Sequence, residues 1–241
     1  MATVLDHIPE TGDLTDALMG FFEWVEEGGK SPWPHQEEAL MELAGGSHVI
    51  LQTPTGSGKS LVALGLHVLA FARAERSVYT APIKALVNEK FFALCKDLGA
   101  ENVGLMTGDA TVNRDAPVLC CTAEVLQQIA LSEGDEAGFK HVIMDEFHYY
   151  GDRDRGMAWQ LPLVALKESR FLLLSATLGD TKLIREAVEA RTGVPVTLVK
   201  MEQRPVPLHW EYAETPLHET MGKLRIRNKL PGYLVHFSQR E

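Results

Sequence analysis

The fold is decided by the stretch His48-Val49-Ile50-Leu51-Gln52, followed directly by Thr53-Pro54-Thr55-Gly56-Ser57-Gly58-Lys59-Ser60. The first five residues form a short apolar run that predicts a buried β-strand, and the apolar residues after Ser60 predict a helix. A glycine-rich loop between a strand and a helix is typical of a phosphate-binding P-loop. Gly56 and Gly58 let backbone N–H groups turn toward a phosphate, and the helix N-terminus adds partial positive charge. Thr53 stands where the usual pattern has glycine.

Two side chains of this loop suit a nucleoside triphosphate and its metal. Lys59 is predicted to reach the β- and γ-phosphates, and the Ser60 hydroxyl is predicted to bind Mg²⁺. The alternative is a chance turn ahead of a buried helix, which the strand and helix context disfavours. The predicted ATP-binding residues of the loop are Thr53, Pro54, Thr55, Gly56, Ser57, Gly58, Lys59 and Ser60.

A second apolar strand leads into two adjacent carboxylates, Asp145 and Glu146. Asp145 is predicted to hold Mg²⁺ through water, and Glu146 to activate the attacking water as a general base. An isolated Asp-Glu pair at a strand end is most often a solvated turn, but a P-loop about 85 residues upstream favours the functional interpretation. The predicted catalytic residues are therefore Lys59, Asp145 and Glu146.

Short β-rich runs alternate with segments of helical period, which is typical of an α/β protein with a mostly parallel sheet. Strands are predicted over residues 48–52, 78–81, 103–106, 118–122, 142–145, 171–175 and 196–200. Helices are predicted between most of these strands. Two more precede the first strand, one from Leu14 to the Gly28-Gly29 pair and one over residues 34–43.

The charge of the chain is unevenly placed. The 241 residues carry a formal charge of −10, of which −9 lies in residues 1–50 and −1 in the rest. An acidic total argues against binding nucleic acid by bulk positive charge, but it leaves open a groove that uses backbone amides and a few bases. We expect the acidic segment to lie away from any such groove.

Nothing in the sequence indicates a membrane or a secreted protein. The longest nearly apolar run, residues 61–72, is too short to span a bilayer, and no signal peptide is visible. Cys95, Cys120 and Cys121 fit neither a disulfide framework nor a zinc site. A reducing cytoplasm is the expected compartment, and the sequence leaves the oligomeric state open.

Six segments, in order, resemble the motifs of superfamily 2 helicases, and within them the DExH-box group of the superkiller (Ski-like) type. They are residues 53–60 (motif I), 81–90 (motif Ia), 104–109 (the threonine-glycine motif), 122–126 (motif Ib), 145–148 (motif II) and 175–177 (motif III). The resemblance implies the first RecA-like domain of such a helicase. It therefore implies a RecA-like P-loop NTPase fold, with a mostly parallel central sheet and helices on both faces.

The resemblance also implies roles for single residues. Gln36 stands where the family reads the adenine edge; a polar residue on the first turn of a helix is the equal alternative. His148, Ser175 and Thr177 would couple the nucleotide site to the strand-binding surface, with hydrogen bonds from motif III to motif II. The nucleic-acid path would be bordered by Pro82, Lys84, Asn88, Thr107, Gly108, Thr122 and Glu124. In the family such residues contact one strand's phosphates largely through amides, hydroxyls and helix N-termini. Gln127 stands where the family has an arginine.

Three segments are predicted. Residues 1–30 form an acidic helical extension, residues 31–200 form RecA-like domain 1, and residues 201–241 hold a linker and the first strand of a second RecA-like domain, over 233–237. In the family the second domain supplies arginines that stabilise transition-state charge. The chain alone is therefore expected to bind ATP with little turnover.

The predicted function is nucleic-acid-stimulated ATP hydrolysis coupled to strand translocation or unwinding. ATP and Mg²⁺ are the expected cofactors, and single-stranded RNA or DNA and a second RecA-like domain are the expected partners. The alternative is a nucleotide-switched interaction module without unwinding activity, against which Glu146 argues. A transport ATPase is disfavoured by Ser175-Ala176-Thr177. RNA and DNA are not distinguished, because the predicted contacts avoid base edges.

Overall fold

The computed structural model describes residues 3–201 and 207–235, and the chain divides into two compact units, Met1–Pro205 and Val206–Glu241. The strands of the first unit are β1 (His48–Gln52), β2 (Arg76–Ala81), β3 (Val103–Met106), β4 (Thr111–Val112), β5 (Val118–Thr122), β6 (Phe139–Met144), β7 (Arg170–Ser175) and β8 (Val196–Lys200). Its α-helices are α1 (Leu14–Glu27), α2 (Pro34–Ala44), α3 (Lys59–Ala72), α4 (Lys84–Leu98), α5 (Ala123–Ser132), α6 (Met157–Ala165) and α7 (Lys182–Thr192).

The strands form one sheet in the order β4-β3-β5-β2-β6-β7-β1-β8. Every neighbouring pair is parallel except β3 and β4, which are antiparallel. The predicted mostly parallel sheet is confirmed, and each of the seven predicted strands is present within three residues of its predicted ends. The two-residue strand β4 was not predicted, because two exposed residues carry no periodic signal.

The sheet is buried on both faces, so its central strands are almost continuously apolar. Alternate residues of one strand face opposite helical layers: Val49 and Leu51 pack with α1 to α4, whereas Ile50 packs with α5 to α7. The prediction of helices on both faces is therefore confirmed.

Helix α1 packs into the core of the first unit. The Asp13 carboxylate caps it by accepting the N–H groups of Thr15 and Asp16, at 2.7 and 3.1 Å. Its apolar face, which includes Leu18 and Phe21, is buried in the same cluster as α3, and Glu23, Glu26 and Glu27 are exposed. The domain limits predicted from the sequence stay predictions.

The second unit contains helix α8 (Leu217–Ile226), which was not predicted from the sequence. Leu217, Met221 and Leu224 recur at helical spacing along it. Lys223 and Arg225 lie in the last turn, where positive charge favours the helix dipole.

Of the strand predicted over 233–237, residues 233–235 are not in a strand and residues 236–237 lie outside the described residues. Across residues 3–201 and 207–235, no helix is long and apolar enough to cross a membrane.

Two fully buried histidines are held neutral. His48 accepts the Phe171 N–H at Nδ1 (3.0 Å) and bonds to Thr192 Oγ1 through Nε2 (2.9 Å). His67 bonds to Ser77 Oγ at 2.8 Å. Burial lowers the pKa of His48 to about 4 and that of His67 to about 3.

We expect the free energy of unfolding to fall as the pH falls from about 6.5 to about 4. In this window the unfolded chain binds protons at His48 and His67 and the folded chain does not, so each residue removes up to about 1.4 kcal/mol per pH unit. Urea unfolding followed by tryptophan fluorescence measures the slope. The His148→Gln variant, whose ring is partly exposed, should keep it, and a flat profile between pH 7 and 4.5 would contradict the assignment.

Candidate nucleotide site and nucleic-acid groove

Three adjacent parallel strands bring the predicted nucleotide-binding motifs together. The P-loop follows β1, Ser175 ends β7, and Asp145 and Glu146 follow β6. Since the carboxyl ends of parallel strands meet at one edge of the sheet, all three motifs lie at the edge where open α/β sheets bind ligands.

The P-loop is braced by two buried hydroxyls. The Ser57 hydroxyl donates to Thr53 Oγ1 at 2.6 Å, and both side chains are buried. Thr53 thus supplies a hydrogen bond that a glycine at this position could not make. Gly58 is left-handed (φ 75°) and directly precedes α3, whose N-terminus faces the loop.

Lys59 is held by the carbonyl groups of its own loop. Its ammonium donates to Thr53 O at 2.9 Å and to Pro54 O at 3.3 Å. Burial lowers the pKa of the Lys59 ammonium, and the charges of Asp145 and Glu146 oppose this effect. A phosphate entering the loop would replace two weak carbonyl partners by charged oxygens, so the lysine is positioned for that exchange.

Gln36 holds the P-loop from the first turn of α2. Its Oε1 accepts the Trp33 N–H at 2.8 Å, and its Nε2 donates to Gly58 O at 3.0 Å and to Ser57 O at 3.3 Å. The buried amide therefore has a structural task in this structure. Its predicted role in reading adenine stays a prediction.

Gly58→Ala should damage both the fold and nucleotide binding. A Cβ at Gly58 would lie 2.3 Å from Gln36 Nε2, and the left-handed backbone disfavours any side chain. Such strain costs about 1–3 kcal/mol, which urea unfolding would detect, and titration with a fluorescent ATP analogue should show weaker binding. Gly179→Ala is the matched control, because a Cβ there meets open space. Wild-type stability and affinity in Gly58→Ala would show that the turn tolerates a side chain.

Both oxygens of Asp145 have donors. Oδ1 accepts the Glu146 N–H at 2.8 Å, and Oδ2 accepts a short hydrogen bond from the Tyr79 hydroxyl. Burial, followed by the charge on Asp145, holds the pKa of Tyr79 well above its usual range, so the hydroxyl remains a donor. The Asp145 carboxylate is therefore fixed in orientation.

Glu146 has a left-handed backbone (φ 49°), which is uncommon for a residue other than glycine. Such conformations are concentrated at functional sites, where the surrounding structure maintains them. The carboxylate lies 3.2 Å from His148 Nδ1. The structure thus brings His148, predicted as a coupling residue, against the predicted general base.

The residues around Ser60 and Asp145 fit Mg²⁺. A hydroxyl and a carboxylate are the hard oxygen donors that Mg²⁺ prefers, and it usually takes only one or two protein ligands beside substrate oxygens. The Lys90 ammonium, a cation, already donates to Ser60 Oγ at 2.8 Å. Within the described residues no group of three or more His, Cys, Asp or Glu is arranged for a metal.

Motif III is linked to motif I. The Ser175 carbonyl oxygen accepts the Thr53 N–H at 3.1 Å. The Ser175 Oγ accepts the N–H of the exposed Thr177 at 3.3 Å. The register explains the contact, because Gln52 and Ser175 are paired at the ends of β1 and β7. Among residues 3–201 no hydrogen bond joins Ser175 or Thr177 to motif II, so that expectation is not met.

Five of the seven predicted nucleic-acid residues line one groove of about 510 Å³. They are Pro82, Lys84, Gly108, Thr122 and Glu124. Asn88 is exposed on α4, one turn beyond Lys84, and the Thr107 hydroxyl donates to Asp109 at 2.8 Å. Neither Asn88 nor Thr107 belongs to the lining.

The groove also contains Arg155, to which the sequence analysis assigned no role. Its guanidinium donates to Pro82 O and to Glu124, and it lies 5.6 and 5.8 Å from the ring centroids of Tyr149 and Trp159. The turn that carries Arg155 is held by Asp152, whose carboxylate accepts the Arg155 N–H at 2.8 Å, but nothing in the sequence pattern indicates the contacts of the guanidinium. Glu124 is thus the partner of an arginine.

The cations that line the groove are both paired with carboxylates. Lys84 Nζ lies 2.9 Å from Asp109 Oδ1, and Arg155 is paired with Glu124. The groove therefore offers little net positive charge.

Together, the sheet, the P-loop and the carboxylate pair define a RecA-like P-loop domain.

Comparison with known proteins identifies the family. Residues 33–184 match the DEAD/DEAH box helicase family model, and the chain belongs to that family. It is 36% identical over 213 residues to the Probable helicase HelY of Mycobacterium tuberculosis, covering 83% of this chain and 23% of HelY. It is 33% identical over 203 residues to the Antiviral helicase SKI2 of Saccharomyces cerevisiae, covering 81% of this chain and 16% of SKI2. The predicted Ski-like resemblance is confirmed, and the chain spans about a fifth of the length of these relatives.

A solved structure agrees with the fold. The crystal structure of the DUF1998 helicase MrfA superimposes with a TM-score of 0.67 at 20% identity, covering 96% of this chain and 39% of MrfA. At that identity the likeness concerns the fold alone.

Proposed function

We propose that this chain is the ATP-binding domain of an ATP-dependent helicase, in which nucleic-acid-stimulated ATP hydrolysis drives strand translocation or unwinding. The observation that carries the proposal is the convergence of the P-loop, the Asp145-Glu146 pair and the groove on one edge of one sheet. Its membership of the helicase family supports the same function.

Each motif has a proposed task in this reaction. The P-loop amides and Lys59 bind the ATP phosphates, Ser60 and Asp145 hold Mg²⁺, and Glu146 orients the attacking water. When bound, Mg²⁺ neutralises the charge that develops on the phosphate oxygens. His148 positions Glu146, which its contact with the carboxylate supports.

The bond between Thr53 and Ser175 supports a coupling role for motif III. It ties the start of the P-loop to the end of β7, so a change in the loop reaches Ser175 directly. We propose that Ser175 and Thr177 pass such changes to the strand-binding surface.

We propose that the groove binds one strand of RNA or DNA. The N-terminal residues of α4 and α5 lie at the groove, and helix N-termini bind phosphates through free N–H groups. MrfA has been solved bound to DNA, and several relatives are named RNA helicases. Both polymers therefore stay candidates.

We propose that full turnover needs a second RecA-like domain, which supplies arginines to the ATP phosphates. When such arginines are missing, the turnover rate falls by about 10³- to 10⁵-fold. The alternative is a nucleotide-switched interaction module without unwinding activity. It is supported by the same need for arginines from a second domain.

We keep the cytoplasm as the proposed compartment, because the three cysteines are free thiols.

Strand displacement by the full-length protein tests the proposal. A partial duplex with a labelled strand should be separated in the presence of Mg²⁺ and ATP, and not with a non-hydrolysable analogue. ATP hydrolysis without separation on either RNA or DNA duplexes would favour the switch module.

A further inference from the structure

We propose that Lys90 is a positioning residue whose ammonium stays hydrogen-bonded to the Ser60 hydroxyl, the predicted Mg²⁺ ligand, until a strand enters the groove. Strand binding then releases this contact and favours the binding of ATP with Mg²⁺. The inference rests on the proposed function and extends it to Lys90, the last residue of motif Ia, for which no role was predicted from the sequence.

Lys90 contacts one predicted metal ligand, Ser60, directly and is linked to the other, Asp145, through Tyr79. Its ammonium donates to Ser60 Oγ at 2.8 Å and stands 5.2 Å from the centroid of the Tyr79 ring. The hydroxyl of that ring donates to Asp145. One lysine and one tyrosine therefore connect the P-loop hydroxyl to the motif II carboxylate.

These contacts oppose metal binding. Ser60 Oγ has two lone pairs, and the Lys90 ammonium takes one of them, so it competes with Mg²⁺ for the space around that oxygen. A second positive charge at this distance also disfavours a divalent cation, because like charges repel strongly where water is partly excluded.

Helix α4 joins Lys90 to the groove. The helix begins at Lys84, whose ammonium lines the groove and is paired with Asp109. Lys90 lies six residues further along the same helix, about 9 Å at 1.5 Å per residue. A phosphate that replaced Asp109 as the partner of Lys84, or bound the helix N-terminus, would act directly on the element that carries Lys90.

The test uses the full-length protein and a fluorescent, non-hydrolysable ATP analogue. Binding of the analogue is titrated against Mg²⁺, with and without a single-stranded oligonucleotide. The variants are Lys90→Met and Lys90→Gln, which both remove the charge, and Lys90→Arg, which keeps it. Lys96→Met is the matched control, because it removes a lysine from an exposed position of the same helix.

Without a strand, Lys90→Met and Lys90→Gln should reach half-saturation at about tenfold less Mg²⁺ than the wild type, within the 5- to 150-fold range of allosteric couplings. The gain in affinity that the strand produces in the wild type should shrink to less than about twofold. Lys90→Arg and Lys96→Met should behave as the wild type. If Lys90 had a purely structural role, replacing it would not lower the Mg²⁺ concentration needed for half-saturation.

Two results overturn the proposal in distinguishable ways. If the wild type gains affinity with the strand and the neutral variants keep that gain or need at least as much Mg²⁺, the inference about Lys90 fails and the proposed function stands. If the wild type binds no nucleotide, or no strand affects it, the proposed function fails together with the inference.

Discussion

The Lys59→Ala variant is expected to lose ATP binding almost completely. The lysine is the cation that we propose binds the β- and γ-phosphates, and it is partly buried, with its ammonium donating to the Thr53 and Pro54 carbonyl oxygens. Removing one partner from a buried, hydrogen-bonded charge pair costs about 2–5 kcal/mol, roughly 30- to 5,000-fold in affinity. Titration of the full-length protein with a fluorescent ATP analogue and Mg²⁺ measures this loss.

The control separates loss of the phosphate contact from loss of the fold. Lys140→Ala removes a lysine whose partner is the surface residue Glu168, and it should bind the analogue as the wild type does. Circular dichroism should show the same helix content in both variants. Affinity within about threefold of the wild type in Lys59→Ala, below the low end of this range, would show that the loop amides bind the phosphates without the lysine.

The Glu146→Gln variant is expected to separate binding from hydrolysis. The amide keeps the shape of the side chain but cannot accept a proton from water. Loss of a general base lowers turnover by about 10²- to 10⁴-fold. Asp145 keeps its contacts with Tyr79 and the backbone, so the dissociation constant for ATP with Mg²⁺ should stay within a few-fold of the wild type.

Phosphate release by the full-length protein in the presence of single strands measures turnover. Glu168→Gln, at an exposed carboxylate paired with Lys140, should hydrolyse ATP normally. Normal turnover in Glu146→Gln would remove Glu146 from the catalytic assignment, and lost nucleotide binding would mean that the residue acts on the fold or the metal.

The local motifs could be predicted because each is contained in a few consecutive residues. The apolar run before Thr53 predicts its own strand, and the Gly56 and Gly58 positions carry the turn that the P-loop needs. Parallel topology then follows from the alternation of strands and helices, and it places Asp145 and Ser175 at the same edge as the loop.

The contacts that distinguish this site could not be predicted, because they join residues far apart in the sequence. Arg155 reaches Glu124 across 31 residues, Lys90 reaches Ser60 across 30, and Gln36 reaches the P-loop across 22. Each depends on the rotamer of a long side chain and on the spacing of two helices. The sequence pattern contains neither, so the contact of Gln36 with the P-loop was not predicted beside its adenine-reading and polar-residue interpretations, and no role was predicted for Arg155.

The proposed function is tested most directly by the ATPase rate of the full-length protein with single-stranded RNA and with single-stranded DNA, over a series of salt concentrations. We predict that at least one polymer stimulates the rate. The stimulation should decline only gradually with salt, because the two cations of the groove are already paired with carboxylates and release few counterions from the strand. For a single strand, the logarithm of the binding constant falls against the logarithm of the salt concentration with a slope of about −0.7 for each phosphate contact. A rate that neither polymer changes at any salt concentration would contradict a nucleic-acid-stimulated helicase.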